Sequence, residues 1–403
     1  MKKIFPIIII ATLLVGGVVI GKYTGVISPA QTHLETSPTT PEGIPTEGLL
    51  DPSGQTPALT NAPWKIEVVA TNLFVPWSIV FTSPTRMLVS ERNGNVQVIE
   101  NGKKQEQPIH TFSQVKTEQE EGLMGMTADP DYTNNRYLYV VYAYPNGKAY
   151  TDTVVRFTDK GDHFDEEKTL LDGIPAAKVH AGSRIKFGPD KKLYITTGDA
   201  TNKALPQDIH ALGGKILRIN NDGTIPSDNP FPGSPVWTYG HRNPQGLAWN
   251  PISGTLIETE HGPSGFDGPL GGDEVNVIEK GSNYGWPVVS HKEHKDGMVD
   301  PLLVFTPAVA PAAGLFYTGN VFPQWKNHFF FAMLKGEGIM HVVFDSNDPK
   351  KILQFEKVSN INVGRIRELA QGPDGNIYFS TSNEDGRGNA KNGDDKIYRI
   401  VKQ

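Results

Sequence analysis

The sequence predicts an all-β fold, a six-bladed β-propeller that follows an N-terminal segment and a linker. A strand, a proline-containing turn and a second strand recur six times, at intervals of roughly 50–70 residues. The chain also contains 42 glycines and 31 prolines, which favours frequent turns and disfavours long helices. Six small sheets packed around an axis would bury faces that each sheet alone leaves exposed. A β-sandwich, or two unrelated β domains, is the alternative architecture.

The repeated unit is clearest in its third copy. Residues 185–187 alternate apolar and polar side chains, residues 188–190 (Gly-Pro-Asp) form a turn, and residues 193–197 resume the alternation. Many copies add a further strand, such as residues 215–219. In chain order the copies begin at Ile79, Met126, Ile185, Leu247, Val321 and Leu369, and the copy at Val321 is the weakest.

The N-terminal region predicts a location outside the cytoplasm. An uncharged run, Ile4 to Gly21, lies between Lys2-Lys3 and Lys22, so residues 1–27 are expected to be a signal peptide or a transmembrane anchor. The run lacks a clear small-residue cleavage site, which favours an anchor with its N-terminus inside. Residues 28–63 are rich in Pro, Thr, Ser and Gly and are expected to be a disordered linker. Residues 64–403 would then form the catalytic propeller.

Composition and motifs exclude several functions. The net charge of −6, with no run of lysine or arginine, argues against nucleic-acid binding. The absence of cysteine excludes thiol catalysis, disulfides and cysteine-based metal sites. No glycine-rich nucleotide-binding fingerprint follows a strand, and no Gly-x-Ser-x-Gly elbow occurs.

Two unusual loops open the third and fourth copies. His180 stands in a His-Ala-Gly-Ser-Arg loop, where a neutral imidazole beside small residues could act as a general base. Arg242 stands in Gly-His-Arg-Asn-Pro-Gln-Gly, and its planar fork suits a carboxylate or a developing oxyanion. The alternatives are a histidine that makes an ordinary loop hydrogen bond and an arginine that holds blade carbonyls. In a propeller, equivalent loops converge at one end of the axis.

Later loops offer oxygen atoms and cations. The carbonyl groups of Gly262 and Pro263, with acids such as Asp273 nearby, suit calcium, although an ordinary glycine-rich turn is equally compatible. Arg365 and Arg367 share one face of a strand, which suits a polyanionic ligand or a solvated surface. Lys335 follows the apolar run 329–334 and could also face the axis. The His291–His294 segment lacks metalloprotease spacing and is expected to be a solvated loop, and the acidic, glycine-rich tail 384–395 does not fit an EF-hand loop.

Together, these loops resemble the soluble quinoprotein glucose dehydrogenase and aldose sugar dehydrogenase family. The members of this family are six-bladed propellers that use pyrroloquinoline quinone (PQQ) and calcium. The resemblance extends over roughly Leu73 to Ile400 and rests on the order of the loops around His180, Arg242 and Pro263, together with residues 271–276, 283–287 and 365–367.

The resemblance implies a role for each matching residue. His180 would remove the proton from the anomeric hydroxyl while the anomeric hydride passes to the quinone. Arg242, with Asn243 beside it, would stabilise the developing quinone oxyanion. The carbonyls of Gly262 and Pro263 would bind the catalytic calcium. The remaining cofactor contacts would come from Glu120, Lys335, Arg365 and Arg367.

Some positions depart from the family pattern. Glu120 stands in an acidic, glutamate-rich run where the family often has glutamine, or glutamate in some branches. Val179 replaces an acid that often precedes the base, and residues 306–308 (Thr-Pro-Ala) replace aromatic and hydroxyl groups that flank the cofactor in the glucose enzyme. The pattern is closer to the aldose dehydrogenase branch.

The resemblance implies oxidation of an aldose to its lactone outside the cytoplasm, in the periplasm or at the cell surface. The expected partners are the sugar, an unidentified electron acceptor and a membrane reached through the N-terminal segment, and the protein would be a monomer or homodimer. A calcium-dependent propeller lactonase and a non-catalytic propeller that binds carbohydrate or protein are the alternatives.

Overall fold

The computed structural model describes residues 64–147 and 149–403. They form six antiparallel sheets arranged as the blades of a propeller, five with four strands and one with five, so the predicted all-β, six-bladed fold is confirmed. The predicted anchor or signal segment (1–27) and linker (28–63) lie outside the described residues. Within the described part, no helix is long and apolar enough to cross a membrane.

Each blade runs from an innermost strand at the axis to an outermost strand at the rim. Blade 1 contains β2 (Pro76–Ser83), β3 (Arg86–Glu91), β4 (Asn95–Glu100) and the short strands β5 (Lys103–Lys104) and β6 (His110–Thr111). Blade 2 contains β7 (Leu123–Ala128), β8 (Tyr137–Asn146), β9 (Ala149–Asp159) and β10 (Phe164–Ala176). Blade 3 contains β11 (Gly182–Phe187), β12 (Leu193–Thr197), β13 (Lys215–Ile219) and β14 (Val236–Tyr239).

The second half repeats this order. Blade 4 contains β15 (Pro244–Trp249), β16 (Leu256–Glu260), β17 (Asp273–Ile278) and β18 (Leu303–Phe305). Blade 5 contains β19 (Pro311–Phe316), β20 (Phe329–Met333), β21 (Gly338–Phe344) and β22 (Ile352–Lys357). Blade 6 contains β23 (Ile366–Gln371), β24 (Ile377–Thr381), β25 (Ile397–Lys402) and β1 (Trp64–Ala70). The described helices are short: α1 (Tyr132–Asn135) and a 3₁₀ turn (Pro323–Trp325).

The ring is closed by the first strand of the described chain. β1 pairs antiparallel with β25, so that Trp64 lies opposite Lys402, and it forms the outer edge of blade 6. At the axis, β23 of blade 6 lies against β2 of blade 1. Closure therefore gives every blade two neighbours, and the innermost strands, each an edge of its own sheet, face the crowded axis rather than open solvent.

The fifth blade corrects one detail of the predicted repeat. The segment that begins at Val321 is not its inner strand, because Pro323–Trp325 forms the 3₁₀ turn between β19 and β20. The inner strand β19 carries Ala312, Ala313 and Gly314 at the crowded axis, where Thr259 of blade 4 donates a hydrogen bond to the Ala312 carbonyl at 2.8 Å. Small residues fit this close approach. Because they are not large apolar residues, the strand lacks the pattern that predicts the other inner strands.

The topology brings two kinds of loop to the same end of the axis. Each innermost strand is entered by one loop, and the second strand of each blade, which runs antiparallel to the first, ends in another. The loops before β7, β11, β15, β19 and β23 therefore meet the loops after β12, β16, β20 and β24. All of the predicted site residues lie in these loops or within one or two residues of them.

Candidate active site

The converging loops enclose a cavity of about 520 Å³. Its wall includes every residue predicted for the site: Glu120, His180, Arg242, Asn243, Gly262, Pro263, Lys335, Arg365 and Arg367. These residues come from blades 2 to 6 and are separated by up to about 250 positions in the chain. The volume lies in the range of pockets that take a small organic ligand.

His180 is held by its backbone before its ring is considered. Its φ of +64° lies in the left-handed region, which costs energy for a residue with a side chain. The His180 amide donates to Glu120 Oε2 at 3.0 Å, and Gly198 packs directly behind the His180 carbonyl. A Cβ at position 198 would lie 1.6 Å from that carbonyl oxygen, so only glycine fits there. The strained backbone thus fixes where the imidazole enters the cavity.

The two ring nitrogens of His180 have different partners. Nδ1 lies 2.6 Å from Asp199 Oδ1, and Nε2 lies 2.8 Å from Arg242 Nη2. A guanidinium group only donates hydrogen bonds, so Nε2 must accept and Nδ1 must carry the proton given to Asp199. This geometry assigns a neutral imidazole whose Nε2 lone pair is held by Arg242 at the wall of the cavity, and a neutral imidazole is the form that a general base requires.

Arg242 is bonded on every side. Its Nε donates to Asp267 Oδ2 at 2.7 Å, its Nη1 to the His261 carbonyl at 3.0 Å, and its Nη2 to Ser264 Oγ at 3.1 Å as well as to His180. Burial acts to raise the pKa of Asp267, but the hydrogen bond and charge of Arg242 outweigh it and lower that pKa. Asp267 is therefore an ionised partner that fixes the guanidinium beside His180.

The loop after β16 carries the predicted metal-binding carbonyls. The Gly262 amide donates to Asp273 Oδ1 at 2.8 Å, and Asp273 Oδ2 accepts from the amides of Val309 and Ala310 at 2.7 and 2.6 Å. Both carboxylate oxygens of Asp273 are thus used to hold the backbone of two loops. Asp273 thus fixes the Gly262-Pro263 turn, whose two residues line the cavity, and the Pro263 carbonyl also accepts from the Gly271 amide at 3.2 Å.

The opposite wall is cationic. Arg365 is paired with Asp385, with Nε 2.9 Å from Oδ2. Arg367 donates to the neutral Gln245 Oε1 at 3.0 Å and, with Lys335, pairs with no carboxylate among the described residues. Burial lowers the pKa of Arg367 to about 9, and the nearby charges of Asp385 and Glu120 offset this effect only in part. The positive charge of this wall suits an anionic ligand.

Glu120 and Asn243 join loops of several different blades. Glu120 Oε1 accepts from Arg387 Nη1 at 2.8 Å, and burial, which would raise the pKa of Glu120, is overcome by the charge of Arg387, which lowers it to about 2. Asn243 Oδ1 accepts from the Gly182 amide at 2.9 Å while its Nδ2 donates to Glu120 Oε2 at 3.3 Å. Both residues line the cavity and also position its loops.

Sequence reasoning missed four contributors: Asp199, Asp267, Arg387 and His261. Asp199 ends the His180 repeat as a Gly-Asp pair, and that adjacency to the second strand was the available signal. Arg387 lies in the acidic tail 384–395, for which the sequence indicated no role beyond excluding an EF-hand, and it lines the cavity. Burial lowers the pKa of His261 to about 3, and its neutral ring lies between Asn243 and the Pro311 carbonyl. His294, by contrast, lies on the surface beside Asp300, as expected.

Comparison with known proteins identifies the family of this chain. Residues 73–398 match the model of the glucose / sorbosone dehydrogenase family. The aldose sugar dehydrogenase YliI of Escherichia coli strain K12 is 29% identical over 345 residues, which cover 80% of this chain and 91% of that protein. Quinoprotein glucose dehydrogenase B of Acinetobacter calcoaceticus is 33% identical over 270 residues, covering 57% of this chain and 54% of that protein. The PQQ-bound structure of the aldose sugar dehydrogenase from Streptomyces coelicolor superposes with a TM-score of 0.73 at 32% identity, covering 84% of this chain and 98% of that one.

Proposed function

Because this chain belongs to the glucose / sorbosone dehydrogenase family, we propose that it oxidises the anomeric carbon of aldose sugars to lactones with PQQ and calcium. The observation that carries the proposal is the neutral imidazole of His180, held between Asp199 and Arg242 at the wall of a cationic cavity. The aldose and glucose dehydrogenases among its relatives support the substrate class.

The donor set of the cavity fits PQQ. This cofactor carries three carboxylates, and the cavity offers Lys335, Arg365 and Arg367 on one side. The lowered pKa of Arg367 reflects a buried cation that an anionic ligand would stabilise. When bound, PQQ would supply the two-electron acceptor that the side chains of this protein lack.

The same cavity offers calcium a set of hard oxygen atoms. The carbonyl groups of Gly262 and Pro263 would hold the ion, as backbone carbonyls commonly do for calcium. Asp273 would not be a direct ligand, since three backbone amides already occupy its two oxygens. Its role would be to keep the Gly262-Pro263 turn in place.

The chemistry assigned to the protein side chains is a proton transfer and its electrostatic support. His180 Nε2 would accept the proton of the anomeric hydroxyl as the C–H bond is broken, and Asp199 would stabilise the imidazolium that forms. Arg242 would have to give up part of its hydrogen bonding to His180 when the sugar hydroxyl arrives. Its remaining bonds to Asp267 and His261 would keep its charge beside the reacting atoms.

We place this reaction outside the cytoplasm, with the protein anchored or exported through residues 1–27, and with an electron acceptor whose identity the sequence does not give. A calcium-dependent lactonase would need free acidic ligands at the axis. In the described cavity, Glu120 is paired with Arg387 and Asp273 with backbone amides, so the geometry favours the dehydrogenase. A non-catalytic propeller would have no need for the strained backbone of His180.

Reconstitution of the full-length protein tests the proposal. The protein would be loaded with PQQ and calcium, and the reduction of an artificial dye would be followed with a panel of aldoses. Turnover that disappears in His180→Ala, with PQQ affinity retained, and that is lost on chelation of calcium and restored by its return, would support the proposal. Cofactor binding without turnover of any aldose in the unaltered protein would exclude the dehydrogenase.

A further inference from the structure

The loop between the metal-binding turn and β17 exposes apolar side chains at the mouth of the cavity. We call residues Ser264–Leu270 the rim loop. Its Phe266 and Leu270 are 67% and 70% exposed, and both line the cavity. Large exposed apolar side chains are few in the described chain: Val68, Ile252, Phe266, Leu270, Val288 and Leu353. Two of these six thus lie within five residues of each other at the site.

Phe266 is placed directly over the base. Its ring centroid lies 5.7 Å from that of His180, with the planes at 24° to each other. A hydroxyl that delivers a proton to His180 Nε2 must come within about 3 Å of that nitrogen. The remainder of such a substrate would therefore lie in the immediate vicinity of the Phe266 ring.

The rim loop is anchored rather than hanging free. Asp267 Oδ1 accepts from the Ser264 amide at 2.9 Å, Asp267 Oδ2 accepts from Arg242 Nε at 2.7 Å, and Lys203 Nζ donates to the Asp267 carbonyl. These bonds on both sides of Asp267 fix the neighbouring Phe266. The Phe266 ring is exposed to water beside His180, so an apolar surface that covers it would lower the free energy of the complex.

We infer that Phe266 is a specificity-determining residue, the wall against which the apolar C–H face of the sugar ring stacks while its anomeric hydroxyl meets His180. Asp267 is the positioning residue that holds this wall to Arg242. The inference rests on the proposed function and adds to it: the preferred substrates are aldoses in ring form with an unbroken apolar face.

The test compares four full-length proteins loaded with PQQ and calcium: the unaltered chain, Phe266→Ala, Phe266→Tyr and Ile252→Ala. Ile252 is a matched control because it is 56% exposed and lies beyond the far end of β15. D-glucose, D-galactose and D-xylose serve as probes. Steady-state dye reduction gives KM and kcat, equilibrium dialysis gives PQQ affinity, and saturation-transfer NMR from aromatic protons to the sugar reports contact without turnover.

We expect Phe266→Ala to raise the KM of the best sugar about tenfold, equivalent to about 1.4 kcal/mol. Its kcat should remain within about threefold, PQQ affinity should be unchanged, and saturation transfer should fall. Phe266→Tyr should restore KM to within about twofold, and Ile252→Ala should match the unaltered chain.

Several results would overturn the inference. An unchanged sugar KM in Phe266→Ala would contradict contact with the sugar. A loss confined to kcat would assign Phe266 to the base, and a loss confined to PQQ affinity would assign it to the cofactor. A rise only in the KM of the dye would assign it to the electron acceptor. If the unaltered protein oxidises no aldose, the proposed function itself fails and the inference falls with it. If the unaltered protein oxidises aldoses and Phe266→Ala leaves the sugar KM unchanged, the inference fails while the proposed function stands.

Discussion

Replacing Asp199 with asparagine would remove the carboxylate that accepts the hydrogen bond from His180, the proposed base. Asp199 is 1% exposed, and each of its oxygens accepts from donors: Oδ1 from His180 Nδ1 at 2.6 Å and the Thr201 amide at 2.7 Å, and Oδ2 from Trp286 Nε1 at 2.8 Å. An asparagine has one oxygen and one NH₂ group. In either orientation the NH₂ faces a donor, and no negative charge remains beside the imidazole.

The size of the effect follows from the charge that forms on His180. When the ring takes up a proton, the pair becomes imidazolium and carboxylate, whose charges at about 4 Å attract by about 4 kcal/mol at an effective dielectric constant of 20. The hydrogen bond that asparagine retains offsets about 1 kcal/mol of this loss. We therefore expect kcat to fall by about 10²–10³-fold, since each 1.4 kcal/mol is tenfold.

The assay is dye reduction at saturating sugar by Asp199→Asn loaded with PQQ and calcium. PQQ affinity and thermal unfolding are measured alongside, because the substitution should affect turnover far more than cofactor binding. Asp208→Asn, an exposed change in the same loop after β12, is the matched control. If Asp199→Asn keeps kcat within about threefold, the base is not the His180–Asp199 pair, and the mechanism argued from this geometry is wrong.

Three further predictions concern the frame of the site. Arg184 of blade 3 reaches across the axis to Glu368 of blade 6, so Arg184→Met should lower the free energy of unfolding in urea by about 3–5 kcal/mol, and adding Glu368→Gln should recover most of it. Burial raises the pKa of Asp152 to about 7 and that of its neighbour Glu121 as well. The folded protein thus keeps a proton that the unfolded chain releases near pH 4. The free energy of unfolding should therefore fall as the pH rises from about 4 to 7, and Glu121→Gln should flatten that dependence in thermal melts. Gly198→Ala should reduce kcat at least tenfold and lower the melting temperature, because its Cβ has no space behind the His180 carbonyl; a variant with unchanged kcat would contradict the role given to that backbone.

The sequence revealed the fold because its signal is repeated. Apolar alternation around turns such as residues 188–190 recurs in nearly every blade, and the count of repeats gives the count of blades. The exception was β19, whose Ala312, Ala313 and Gly314 suit the crowded axis but lack the apolar pattern. The closing strand β1 was equally hidden, because its pairing with β25 depends on the ring as a whole.

The site divides along a similar line. His180 and Arg242 stand in unusual loops and Arg367 lies at the start of β23, and topology alone brings these positions together. Asp199, Asp267 and Arg387 were missed because an acid or an arginine in a polar loop carries no local sign of its partner. Arg387 acquires its role only through Glu120, which is 267 positions away in the chain. Ion pairs of this kind form because the ring closes, and the residues next to them in the sequence do not predict them.

The arrangement of these partners explains why the strain at His180 persists. A positive φ at a residue with a side chain is unfavourable, and one hydrogen bond would not hold it. His180 is instead fixed from blade 2 by Glu120, from its own blade by Gly198 and Asp199, and from blade 4 by Arg242. Each of these groups is itself bonded to a further loop, so the imidazole cannot relax without moving several blades. The circular fold thus supplies the rigidity that the proposed general base would need, and His180 Nε2, held by Arg242, lies at the wall of the cavity.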